Sequence, residues 1–153
     1  MLLSVVTDNE LLASQIVKTI FIVILSIGII FNLIRFFKNK LRKKKIINTA
    51  GFLILSAVLL HVSRIYKEDR SLRHNSKYIS GTTIGYCSQI ALGAGVEFEY
   101  ELGGKKYRNC NTYHPISKDS IIVPGGKYSV RVSNDYPGLG RMDFNRKADM
   151  HTQ

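Results

Sequence analysis

The chain has 153 residues and a formal net charge of +11, from 22 Lys/Arg against 11 Asp/Glu. That length leaves room for one small domain beside a membrane segment. The charge does not make a duplex-DNA-binding domain, because residues 1–77 hold 13 Lys/Arg against Asp8, Glu10, Glu68 and Asp69, whereas residues 78–153 hold nine against seven.

Residues 1–15 form a polar-apolar lead-in. Residues 16–65 predict a transmembrane helical hairpin. Its uncharged stretches, Thr19–Ile34 and Ile46–Ser63, are about 16 and 18 residues long, or roughly 24 and 27 Å of helix against a hydrocarbon thickness of ~30 Å. Lys18, Arg35 and Arg64 flank them and can snorkel to the headgroups. Neither run has a polar face, which argues against a buried soluble hairpin. The first run starts late, after Asp8 and Glu10, and a second follows at once, which argues against a cleaved signal peptide.

The connector, residues 38–45, carries six Lys/Arg and sits next to Arg35. It would meet anionic headgroups of the lipid bilayer. Six basic residues flank the other ends of the spans: Lys18, Arg64, Lys67, Arg70, Arg73 and Lys77. Seven against six leaves the side of the membrane open, although both termini share it. Asn32, Asn48 and Thr49 near the connector could hydrogen-bond across the hairpin or between protomers, and Gly28, Ala50 and Gly51 allow close helix approach.

Residues 66–77 are a charged juxtamembrane linker able to extend the second helix for a few turns. Residues 78–147 read as a β-rich soluble domain, and residues 148–153 as a tail. Residues 96–102 alternate apolar and acidic side chains, the mark of a half-buried strand. Gly103-Gly104 then makes a two-residue turn, and residues 105–113 return. Folding there pairs residues whose numbers sum to 207, which sets Glu101 opposite Lys106, Glu99 opposite Arg108 and Tyr100 opposite Tyr107. Further strands are expected at Ile79–Ser88, Ser120–Val123, Lys127–Ser133 and Leu139–Phe144. The fold class is therefore an α+β membrane protein, a transmembrane hairpin followed by a small antiparallel meander or barrel.

No catalytic motif or metal-ligand spacing is present, and an enzyme, a metal and a cofactor are not expected. Cys87 and Cys110 could pair in an oxidising compartment or stay free in the cytosol. The most ligand-like run offers Lys105, Lys106, Arg108, Asn109, Asn111, Tyr113 and His114: cations for phosphates, amides for an adenine edge, rings for stacking. The same residues also suit an ordinary charged edge strand.

Two resemblances follow from these residues. The pattern of Val96, Phe98, Tyr100, Leu102, Gly103, Gly104, Lys105 and Tyr107, followed by Gly125–Tyr128, Val130, Val132, Ser133, Tyr136 and Pro137, resembles small membrane-tethered β domains of bacteria. The whole layout is similar to membrane effectors of type III CRISPR antiviral signalling, in which paired spans carry a β sensor. That second resemblance implies a bacterial inner-membrane effector with a cytoplasmic β domain. It implies a cyclic oligoadenylate ligand, cyclic tetra-adenylate above others, and a homo-oligomer, such as a tetramer, that breaches the membrane. The alternative is an envelope-anchored binding or immunity module with a periplasmic β domain and no nucleotide.

Overall fold

A computed structural model describes residues 7–89, 93–112 and 116–148. The chain divides into two compact units, Leu12–Asp69 and Met1–Leu11 with Arg70–Gln153.

Helix α1 spans Asp8–Lys38 and α2 spans Arg42–His74. The lead-in is thus helical from Asp8. Thr7 and Glu10 explain it: the Glu10 amide donates to Thr7 Oγ1 at 3.4 Å, and the Thr7 amide donates to Glu10 Oε2 at 3.1 Å. This capping box satisfies two free amides, and Asp8 and Glu10 suit the positive end of the helix dipole. The 66–77 linker is helix up to His74, supported by an Arg64–Glu68 pair at 3.2 Å one turn apart.

Both helices are long and apolar enough to cross a membrane. Their apolar windows are almost wholly uncovered by the rest of the chain. Small residues let them approach: a Cβ on Gly51 would meet Asn32 Oδ1 at 2.9 Å, and one on Gly28 would meet Leu55 Cδ1 at 3.2 Å. The expected cross-hairpin hydrogen bonds are not seen at Asn32 and Thr49. Asn32 Nδ2 donates to Gly28 O at 2.9 Å and Thr49 Oγ1 to Lys45 O at 3.0 Å, each within its own helix. The polar clasp lies at the other end, where Lys18 and Ser14 of α1 both bond the buried carboxylate of Asp69 in α2.

The second unit holds one five-stranded antiparallel sheet, in the order β3-β2-β1-β4-β5. The strands are β1 (Ser76–Gln89), β2 (Gly93–Leu102), β3 (Lys105–Thr112), β4 (Lys127–Ser133) and β5 (Arg141–Lys147). The first three form a meander; β4 then crosses to the free side of β1. The β2–β3 register runs from Leu102↔Lys105 to Gly95↔Thr112, every pair summing to 207. Gly103 and Gly104 make the turn with φ of 60° and 74°. The core is Val96, Phe98, Tyr100, Ile121, Tyr128, Val130, Val132 and Met142, the inward half of the alternation.

No strand forms at Ser120–Val123. Lys118–Ser120 is a short 3-10 turn, Ile121 drops into the core, and Ile122 O accepts the Thr83 hydroxyl at 2.7 Å. Thr83 anchors this whole connection, since its Oγ1 also accepts the Gly126 amide at 2.9 Å and its backbone bonds Gly125 and Gly126. Thr83→Val removes the hydroxyl at constant shape and leaves the Gly126 amide without its side-chain acceptor. A loss of about 1–3 kcal/mol in urea unfolding of the detergent-solubilised chain is expected.

Candidate functional site

The β2–β3 hairpin carries the residues singled out from sequence, and its pleat sorts them onto two faces. Lys105, Asn109 and Asn111 share one face with Tyr107. Lys106 and Arg108 share the other with Cys110 and, across the register, Glu101, Glu99 and Glu97. The five described residues, Lys105, Lys106, Arg108, Asn109 and Asn111, are therefore not gathered at one point. Tyr113 and His114 lie outside the described residues.

The electrostatics of the outer face oppose a polyphosphate. Its two cations stand among three carboxylates, and Arg108 Nη1 lies 3.9 Å from Glu97 Oε1. The ion pair is diagonal, displaced from the Glu99 that faces Arg108 directly. Lys105, on the other face, lies 5.3 Å from the centre of the Tyr107 ring.

The two amides are structural. Asn109 Nδ2 donates to Tyr100 Oη at 3.0 Å and to Gly138 O at 2.9 Å, and Asn111 Nδ2 donates to Met142 O at 3.0 Å. They tie β3 to β5 and the loop before it, so the two sheet edges are bridged by side chains. Both donors of Asn109 are spent this way, which leaves none for an adenine edge.

Tyr100 completes this seam. Its hydroxyl donates to Pro137 O at 2.8 Å and accepts from Gly140 N at 2.8 Å and from Asn109. Gly140 is required beside it, because a Cβ there would lie 2.5 Å from Tyr100 Cζ. Burial pushes the phenol above its ordinary value, against the opposing pull of the Gly140 and Asn109 hydrogen bonds. The neutral phenol is thus favoured in the fold. Its contribution is intact below the ordinary value of 10.0 and is lost as pH rises through the folded value. Tyr100→Phe should cost about 2 kcal/mol near neutral pH, measured by urea unfolding, and should remove this component of alkaline destabilisation.

One feature was left open by the sequence and another escaped it. The first is a bond between Cys87 of β1 and Cys110 of β3, with Cα atoms 6.1 Å apart. Both strands pair with β2, and two strand spacings would put them roughly 9.6 Å apart. The sheet is therefore folded sharply about β2. Gly95 makes this possible, since a Cβ there would meet Asn111 O at 2.5 Å and Cys110 Sγ at 3.1 Å.

The second is Arg131 of β4, a buried cation. Its Nε donates to Leu72 O at 2.8 Å and Ser76 Oγ at 3.0 Å; its Nη2 donates to Asp8 Oδ1 at 2.7 Å and Arg73 O at 3.3 Å. Nearby, Ser71 bonds both Ser133 and Asp135, and Asn75 bonds Asn134. One side chain thus fixes the start of α1 and the end of α2 to the sheet. Leu11 and Leu72, fully buried, are the apolar residues of these same two helix ends. Exposed Tyr78 lies beside this arginine at 5.6 Å and beside Arg146 at 5.1 Å.

Comparison with known protein families, curated proteins and solved structures finds no match for this chain.

Proposed function

We propose that the chain is an envelope-anchored binding module whose hairpin crosses the bilayer and whose β domain stands on the oxidising side. The observation that carries this reading is the Cys87–Cys110 bond. Structural disulfides persist outside the cytosol and are rare within it.

The hairpin face that would meet a partner alternates Glu97, Glu99 and Glu101 with Lys106 and Arg108. A mixed-charge strip of this kind suits a protein surface of complementary charge better than a polyanion. A cyclic oligoadenylate needs converging uncompensated cations and free amide donors. The Arg108–Glu97 pair, the carboxylates facing Lys106 and Arg108, and the committed donors of Asn109 weigh against it, and so does an oxidised β domain.

Reporters fused after Gln153 test the reading. Alkaline phosphatase should be active there and green fluorescent protein dark. The opposite pattern would overturn the proposal and return the cytoplasmic sensor to first place.

A further inference from the structure

The hairpin connector is the densest run of like charge in the sequence. Arg35, Lys38, Lys40, Arg42, Lys43, Lys44 and Lys45 fall within two helix ends and a link of three residues, 39–41. No Asp or Glu occurs anywhere from Leu11 to Lys67. Among the described residues none of these seven forms an ion pair. All but Lys45 are exposed.

The cluster is also costly to the fold. Lys43, Lys44 and Lys45 crowd the first turn of α2, which holds no acidic residue, where the helix dipole repels cations. Arg42 and Lys45, three positions apart on one face of the helix, add like-charge repulsion. Meanwhile Phe37, Leu41, Ile46 and Ile47, interleaved with the cations, are 61–74% exposed. Cations alternating with exposed apolar side chains match the headgroup boundary of a bilayer, where phosphate lies next to acyl chain.

We propose that this tip is a binding site for the phosphate headgroups of anionic lipids, with a preference for lipids carrying two phosphates. Seven cations exceed what a single phosphate neutralises, and a two-phosphate headgroup offers paired anions at one depth. The assignment rests on the membrane reading above, but it holds for either orientation. Each Lys or Arg near an anionic surface adds to the attraction, which falls off within a Debye length.

The test uses the full chain in vesicles that mix phosphatidylcholine, phosphatidylglycerol and cardiolipin at equal lipid phosphate. Mild detergent extraction and mass spectrometry then identify the lipids that stay bound. Cardiolipin should be enriched about tenfold over phosphatidylcholine. Replacing Lys40, Arg42, Lys43 and Lys44 with Gln should abolish most of the enrichment, whereas the charge-keeping pair K43R/K44R should retain it. Equal retention of the three lipids, or enrichment unchanged in the Gln variant, overturns the proposal while leaving the hairpin in the membrane. A chain that enters no vesicle removes the membrane reading and this site with it. Pyrophosphate added to the extracted chain should not displace cardiolipin; full displacement would reassign the site to a soluble phosphate compound.

Discussion

Cys110→Ser should lower the unfolding free energy of the β domain by about 3 kcal/mol. The bridge closes a loop with a sequence separation of 23. In the chain-entropy account a loop of that size removes about 3 kcal/mol of denatured-state freedom. A second contribution comes from sheet shape. Cys87 and Cys110 hold β1 and β3 together over Gly95, and without the bond the sheet is free to open about β2 at that end. Cys87→Ser and chemical reduction should therefore give the same loss, and Cys87→Ser/Cys110→Ser no more than either single change. Urea unfolding with and without reductant measures all four. Gly95→Val should cost at least as much even with the bond intact, because a Cβ there meets the Asn111 carbonyl at 2.5 Å. A loss below about 0.5 kcal/mol on reduction would mean that the bond does not shape the fold.

Arg131→Met should be almost as damaging, at about 3 kcal/mol. The change keeps an apolar stem of similar reach but strands the Leu72 carbonyl, buried next to the guanidinium, without its donor. It also releases the Arg73 carbonyl and the Ser76 hydroxyl. Asp8→Asn isolates one part of the network. Asp8 is 71% exposed, so loss of its charge should cost under about 1 kcal/mol. The predicted order is thus Arg131→Met far above Asp8→Asn. Hydrogen exchange gives the location: Arg131→Met should speed exchange at residues 70–76, where α2 meets β1, before it affects the β2–β3 hairpin. Equal effects of the two variants would mean that the surface ion pair, and not the buried carbonyls, carries the junction.

The physical reasons for what was legible differ from element to element. The β2–β3 register was readable because Gly103-Gly104 allows only a tight turn, which fixes every pair beyond it. The hairpin helices were readable from hydropathy alone. The start of α1 was not, because the Thr7–Glu10 capping box precedes the apolar run, whereas the extension of α2 past its apolar run was legible in the charged linker. Ser120–Val123 has the composition of a strand, but the Ile122 carbonyl accepts the Thr83 hydroxyl and the Ile122 amide donates to Tyr128 Oη, and among the described residues the segment joins no ladder. The Cys87–Cys110 pair depends on the β1–β2 register, and the sequence between those strands, Ile90, Ala91 and Leu92, carries no turn signature that would set it. A bulge between Thr83 and Gly85 shifts that register again.

The candidate site fared differently. Composition gathered Lys105, Lys106, Arg108, Asn109 and Asn111 into one run, and a run in a strand is split by the pleat. The sum-207 register already implied that Lys106 and Arg108 share a face with Glu99 and Glu101. The same alternation that marked the strand therefore argued against a polyanion site. Arg131 gave no local signal, because its partners at Asp8, Leu72 and Ser76 lie far away in sequence.

The redox state of the two cysteines in living cells tests the central claim most directly. Cells expressing the full chain are quenched in acid, and free thiols are trapped with a maleimide of known mass before any reductant is added. Cys87 and Cys110 should remain unlabelled until reduction and then take up two labels, as expected for a β domain on the oxidising side of the membrane. Two labels on the protein straight from the quench would contradict that account.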